Sequence, residues 1–350
     1  MTGKSRRIPK ARILVGVLAL LVAACGGDAE TTTTTAAGAT TTTASGDTTT
    51  TTAATTTTVD EIPSVLRFGV TPADDSAGQE ERFGAMVAAL EADVGIDVEF
   101  ITTGGTYGGL IEALIAGRLD MAVMSPFAYV IATGQGADIE ARAAYITRPG
   151  GSPTYQSYGL ARTDRTDVTG IEDYAGKRIC FVDPGSASGF LIPSAGLLAV
   201  GIDPEADLEE AVYAGAHDNS VLAIADGTCD AGFAVDSQLA RMEGSGDVAP
   251  GELHVVWESD PIPGVVLAIQ RSIPEDLRDE IVSVFLNNTG ADLYERELCN
   301  ENWVEDEGPT GTPWCPIAGT STWGFAEVDD SLYDSLREVC RLTEAPACTD

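Results

Sequence analysis

The residues best suited to chemistry lie in a run of small side chains, Pro184-Gly-Ser-Ala-Ser-Gly189, between Phe181-Val-Asp183 and an apolar helical stretch reaching Val200. Small residues at a strand-to-helix junction let backbone N–H groups approach a ligand. The helix start adds about half a positive charge. Ser186 and Ser188 bring hydroxyls, and Ala187 brings an amide. That is chemistry for holding an anion. The same residues also suit an ordinary helix N-cap, and Pro193 leaves the first helical residue open. Tyr107 and His217 are the other candidates, each opening a predicted helix after a glycine-containing turn. His254 falls in a predicted strand and reads as structural.

Other chemistries find no support. The chain has two histidines and no Cys-x-x-Cys, so no metal site is expected. Ala187 occupies the nucleophile position of what would be a Gly-x-Ser-x-Gly elbow. Neither a phosphate-binding nor a dinucleotide-binding glycine fingerprint is present. The expectation is a binding protein without catalysis or cofactor. Lys plus Arg number 20 against 54 Asp plus Glu, a formal charge of −34, which argues against nucleic acid as a partner. A surface so acidic repels anions, so local dipoles are expected to hold one.

Strands and helices must alternate to position these residues. Val65–Val70 reads as a strand, Glu80–Val94 as a helix, Val98–Thr102 as a strand, Tyr107–Ala116 as a helix and Asp120–Met124 as a buried strand. A shift of 110 lays Glu99-Phe-Ile-Thr-Thr-Gly-Gly-Thr-Tyr107 over Glu209-Glu-Ala-Val-Tyr-Ala-Gly-Ala-His217. The same shift lays Gly117-Arg-Leu-Asp120 over Gly227-Thr-Cys-Asp230. At a shift of 112, Phe68-Gly-Val-Thr-Pro72 lies over Cys180-Phe-Val-Asp-Pro184. Two equivalent α/β lobes follow, each a mostly parallel sheet with crossover helices. Extended segments at Tyr155–Ala161 and at His254–Trp257 with Ser-Asp-Pro-Ile-Pro263 join them as a two-segment hinge. Residues 62–156 and 260–350 form lobe one, and 157–259 form lobe two. Ligands bind beyond the carboxyl ends of parallel strands, so the loops after Val70, Thr102, Met124, Val182, Val212 and Ala234 should line the cleft. Tyr107 and His217 would face each other across it.

Ahead of this body, five basic residues precede the apolar run Ile13–Ala24, too short to span a bilayer as a helix. Residues 1–24 read as a signal peptide. Val22-Ala-Ala-Cys25-Gly26 resembles the lipobox of bacterial lipoproteins, which implies acylation of Cys25 and a membrane-anchored, extracytoplasmic protein. Removing residues 1–24 leaves 15 basic against 54 acidic residues, net −39. Residues 28–60 hold 18 threonines and no apolar period, so residues 25–61 read as a disordered tether with a reach of about 30 Å.

The body resembles the substrate-binding proteins of ABC transporters for phosphonate, phosphite and related phosphorus oxyanions, which have the type II periplasmic-binding-protein fold. The resemblance rests on Leu66-Arg-Phe-Gly-Val-Thr-Pro72, Ser125-Pro-Phe-Ala-Tyr-Val130, Gly176-Lys-Arg-Ile-Cys-Phe-Val-Asp-Pro-Gly-Ser-Ala-Ser-Gly189 and Ala214-Gly-Ala-His-Asp218. It implies a monomer that closes on its ligand and docks on a permease driven by an ATPase. It implies that the loop at Ser186, Ala187 and Ser188, with Tyr107, Tyr155 and His217, holds the oxyanion. Asp260 would accept a proton from the ligand. The family usually has Ser-Thr-Ser-Gly, and Ala187 replaces that threonine here. Residues 299–323 form an unusual insert. Phosphate and hypophosphite remain alternative ligands, and a surface sensor without a transporter an alternative role.

Six cysteines besides Cys25 in an exported chain favour pairing. Cys180 begins the first strand of lobe two and Cys229 precedes its third, so these neighbours should be bridged. Cys299 and Cys315 bracket the insert and Cys340 and Cys348 the tail, which gives the remaining two pairs.

Overall fold

Strand β1 (Val65–Val70) buries Leu66 and Phe68 completely, each contributing about 1.5–3 kcal/mol relative to exposure. Helix α1 (Ser76–Val94) lays Phe83, Met86 and Leu90 on the same core, with the Phe68 and Phe83 rings edge to face at 5.5 Å. Next come β2 (Asp97–Phe100), α2 (Tyr107–Ile115), β3 (Met121–Met124), α3 (Pro126–Gly134) and β4 (Ile139–Ile146). The chain then leaves this sheet through β5 (Thr154–Tyr155) and β6 (Ser157–Arg162). It builds β7 (Arg178–Phe181), α4 (Ile192–Ala199), β8 (Glu210–Tyr213), α5 (His217–Ala225), β9 (Ala231–Val235), α6 (Gln238–Ser245) and β10 (Leu253–Glu258). It returns through β11 (Ile262–Pro263) to β12 (Val266–Gln270), α7 (Glu275–Asn287), α8 (Gly290–Glu295), β13 (Gly324–Glu327) and α9 (Asp334–Thr343). This computed structural model describes residues 62–72, 76–299, 312–315, 317 and 322–348. The signal segment 1–24, Cys25, the linker to residue 61 and most of the 299–323 insert lie outside the described residues.

The first lobe is built on a six-stranded sheet, order β13-β4-β12-β3-β1-β2, and the second on a five-stranded sheet, order β10-β6-β9-β7-β8. Between them β5 and β11 pair antiparallel, Tyr155 opposite Ile262, as a two-stranded hinge. The expectation of mostly parallel sheets is corrected. Among the described strands, only β1 with β2 and β3, and β7 with β8 and β9, pair parallel. A chain crossing the hinge enters each sheet from the opposite end. Hence β12 runs antiparallel to β3 and β4, and β6 antiparallel to β9 and β10.

The repeat is visible in equivalent hydrogen bonds. The Arg67 N–H donates to Asp120 Oδ2 at 2.7 Å, and the Arg178 N–H donates to Asp230 Oδ2 at 2.9 Å. Each aspartate N–H returns a bond to the same arginine's carbonyl, at 2.9 and 2.8 Å. These pairs align the first strands at a shift of 111 rather than 112. Tyr107 and His217 are each the first residue of their helix, at the expected shift of 110. The structure joins the three expected cysteine pairs, with Cα–Cα distances of 5.7 Å for Cys180–Cys229, 5.5 Å for Cys299–Cys315 and 5.6 Å for Cys340–Cys348. Helix α9 packs on α3 of the first lobe and on α4 of the second.

Candidate functional site

The loop after β7 is wound tightly by its own polar groups. Asp183 Oδ1 accepts the Gly185 N–H at 2.8 Å, and its carbonyl accepts the Ser186 N–H at 2.8 Å. Ser186 is extended (φ −85°, ψ 128°), and its Oγ accepts the Gly189 N–H at 3.0 Å. The Leu191 N–H donates to Ser186 O, five residues back, at 3.1 Å. This closes a single π-turn, Ala187–Leu191, ahead of α4, which carries Pro193 in its first turn. The turn needs glycine at 189, where a Cβ would lie 2.3 Å from Val182 Cγ2. The helix cap and the loop expected to hold an anion are therefore one structure. Ser186 Oγ caps as an acceptor while its O–H remains a donor.

Other groups converge on this loop. Tyr107, 3% exposed, follows the cap Thr106, whose Oγ1 accepts the Gly109 N–H at 3.1 Å. Its Cβ lies 3.0 Å from where a Cβ on Gly185 would sit, so the lobes touch here. His217 Nδ1 accepts the Val235 N–H at 3.0 Å, which puts the proton of the neutral ring on Nε2. Tyr155, on β5, shares the cavity lining with Ser188, and burial pushes its phenol well above the usual range. Tyr155 therefore stays protonated.

A cavity of about 160 Å³ between the lobes is lined by Tyr107, Tyr155, Ser186, Ser188 and His217. Ala187 is fully buried behind them and is absent from the lining. Its N–H donates across the cleft to Ser125 Oγ at 3.3 Å, and that hydroxyl donates to Gly185 O at 3.2 Å. Asp260 does not join the group. It is exposed on the hinge, with its carbonyl accepting from Ser259 Oγ at 2.7 Å. The expectation that it faces the ligand is corrected. Ser259 is held inward by the Ser157 N–H donating to its Oγ at 2.9 Å, so in extended chain the next side chain points outward. The carboxylate in the cavity belongs to Asp236, directly after β9. Its Oδ2 accepts the Gln156 N–H from the hinge at 2.9 Å. Burial raises its pKa, partly offset by the backbone N–H groups of Gln156 and Ser237. His254, opposite Ala161 in β10, lies away from the cavity.

Two arginines also line the cavity, Arg82 from α1 and Arg241 from α6, so its lining is not limited to neutral dipoles as expected. With the Gln238 amide oxygen turned inward, it accepts from the Asp218 N–H at 3.2 Å and from Arg241 at 2.5 Å. A signal for both arginines existed in the sequence. Neither has an acidic residue three or four positions away on its own helix, unlike Arg337 and Arg341, which pair with Asp334 and Glu338.

Residues 68–333 match the sequence model of the ABC transporter phosphonate periplasmic substrate-binding proteins. The chain belongs to this family. It is 40% identical over 294 residues, 82% of this chain and 88% of the other, to the phosphate-import protein PhnD of Mycolicibacterium smegmatis. It is 25% identical over 232 residues, 65% of this chain and 67% of the other, to the phosphonates-binding periplasmic protein of Escherichia coli. A binding protein component of an ABC phosphonate transporter from Pseudomonas aeruginosa has the same fold, with a TM-score of 0.66 at 20% identity over 80% of this chain and 86% of that one. So does PhnD1 from Prochlorococcus marinus in complex with methylphosphonate, with a TM-score of 0.66 at 17% identity over 81% and 99%. As a member of this binding-protein family, the chain is an extracytoplasmic component of an ABC importer, and its relatives are transporter binding proteins rather than enzymes. Among the described residues no helix is long and apolar enough to cross a membrane.

Proposed function

We propose that the protein captures a phosphonate or phosphite-like phosphorus oxyanion in the interlobe cleft and delivers it to its permease from a lipid anchor at Cys25. The observation that carries the reading is the convergence of Tyr107, Tyr155, Ser186, Ser188 and His217 on one small cavity that also contains a single described carboxylate, Asp236. At about 160 Å³ the cavity is well below the range of drug-sized pockets, which suits a small ion. The hydroxyls and the His217 Nε2–H hold oxygens. The Asp236 carboxylate accepts a hydrogen bond from a ligand oxygen that still carries a proton and repels sulfate, which carries none near neutral pH. This gives Asp236 the role expected of Asp260. Residues 62–156 with 260–350, and 157–259, are the lobes that close.

Phosphate is the second reading, favoured by the name of the Mycolicibacterium relative. Ala187 bears on the choice, because the hydroxyl of the usual threonine is missing and its amide is engaged by Ser125. Calorimetry with phosphate, phosphite, methylphosphonate, hypophosphite and sulfate tests the reading. A phosphorus oxyanion should bind and sulfate should not. His217→Ala should weaken binding at least about tenfold, since a hydrogen bond to a charged group contributes about 1.5–3 kcal/mol. Equal affinity for sulfate, or no loss in His217→Ala, would sink it. For the anchor, Cys25→Ala should release the protein from the detergent phase or block its processing.

A further inference from the structure

Ser125 stands at the N-cap of α3, directly before Pro126. A serine in that place ordinarily accepts an N–H of the helix's first turn with its own side chain. Here the side chain makes no cap bond. It is turned to the other lobe instead, where Oγ accepts the Ala187 N–H at 3.3 Å and donates to Gly185 O at 3.2 Å. Ser125 is buried, and its own N–H donates to Thr71 Oγ1 at 3.1 Å, which fixes the cap residue from just past β1. A hydroxyl has one proton to give. Ser125 gives it to Gly185 O, so although the residue lines the cavity it holds no donor for a ligand oxygen. Ser186 differs, because its Oγ accepts the Gly189 N–H and keeps its proton. Gly185 permits the approach: a Cβ there would lie 3.0 Å from Tyr107 Cβ of lobe one.

We propose that Ser125 is a cross-lobe latch, a positioning residue that holds the loop entering the π-turn of lobe two against lobe one and so sets how long a bound ligand is retained. This role rests on the reading that the lobes close on a ligand and does not depend on which oxyanion that is. A bond between the lobes forms only when they meet, and it stabilises the closed form whatever the cleft contains. Its loss lowers the closed fraction, and every apparent Kd rises by the same factor. A side chain that touched the ligand would change the ratio between ligands instead. Because the latch engages after entry, the change falls on release.

Stopped-flow binding of phosphate, phosphite and methylphosphonate to the intact exported protein tests this. Ser125→Ala should speed the release of each by about tenfold, equally to within about threefold, with association unchanged. An unaltered far-ultraviolet circular dichroism spectrum shows that the variant folds, since no side-chain cap of α3 is lost. Gly185→Ala, which sets a methyl against Tyr107, should also speed release, and adding Ser125→Ala to it should speed release by less than about threefold more. Unchanged release in Ser125→Ala overturns the latch. So does an effect that differs by more than about threefold between ligands, one that falls on association, or losses that multiply in the double variant. Wild-type protein that binds none of the three overturns the phosphorus-oxyanion reading alone. Small-angle scattering of the ligand-free protein then decides the latch: Ser125→Ala should give the larger radius of gyration, and an equal one overturns it.

Discussion

The two lobes carry copies of one βαβ unit, and they differ where it matters for binding. In both, an aspartate caps the first strand and a polar ring opens the crossover helix. In lobe two the first strand runs into a tight π-turn with its hydroxyls and amides bunched at the cleft. In lobe one the equivalent strand leads to the 19-residue α1, with an arginine facing the cleft from its flank. Lobe two presents short-range donors of fixed direction together with Arg241 of α6. Lobe one presents a phenol, a guanidinium and the Ser125 hydroxyl, which reaches across to the turn itself. The duplicated frame thus presents different groups to the cleft from its two sides.

The bracing of the two copies also differs, and the largest expected effect tests this. The repeated unit of lobe two has the buried Cys180–Cys229 bridge, at a sequence separation of 49, whereas that of lobe one has the bidentate Arg67–Asp120 pair at 2.6 and 2.8 Å. Replacing both cysteines by alanine should cost about 4 kcal/mol in urea unfolding by the chain-entropy argument. Arg67→Ala should cost about 1–2 kcal/mol, since the guanidinium is partly exposed. The reverse order would overturn this account of the bracing.

Next in size is the π-turn. Gly189→Val drives a side chain into Val182 and should weaken ligand binding by at least about 100-fold while the urea midpoint falls modestly. Unchanged affinity would show that the turn is only a cap. On the lobe-one side, Tyr107→Phe removes one neutral hydrogen bond and should cost about fivefold, less than His217→Ala. A Tyr107→Phe loss exceeding that of His217→Ala would invert that order.

The smallest effect concerns the Asp236 carboxyl in the ligand-free protein. Its folded pKa is raised, so the folded state binds the proton more tightly than the unfolded chain. That contribution to stability is fully present below the unfolded value near 3.9 and is lost as pH rises through the raised folded value. Asp236→Asn should therefore match the wild type in Tm near pH 4 and exceed it at pH 7. A gap that closes with rising pH would contradict the sign. The same substitution should narrow the preference over sulfate.

Much of this was legible before any coordinates. Periodicity placed β1, α2 and β3 within a residue or two, because each buries a continuous apolar face. The repeat put Tyr107 and His217 at matching helix starts, because the glycine turns before them are local. Asp236 was legible in principle, since it follows Ala234 at a strand end already expected to line the cleft. Asp260 looked eligible by resemblance alone, and the inward hold on Ser259 that turns it outward comes from a residue 102 positions away. The mixed pairing of the sheets was not legible, because strand direction is set by the hinge crossing and leaves no mark in alternation. The role of Ser125 was hidden for the same kind of reason: its partners lie on the other lobe, 60 and 62 residues downstream.

Helix α9 has a mechanical consequence. The lobes are connected covalently at the β5–β11 ladder, and α9 bears on both of them at α3 and α4. Two separated bearings define a line, as two hinges do on a door. Rotation about that line parts the cleft while keeping both bearings seated, whereas twisting one lobe over the other lifts α9 from α4. A closure that keeps α9 seated on α4 has to turn about the ladder and that contact together.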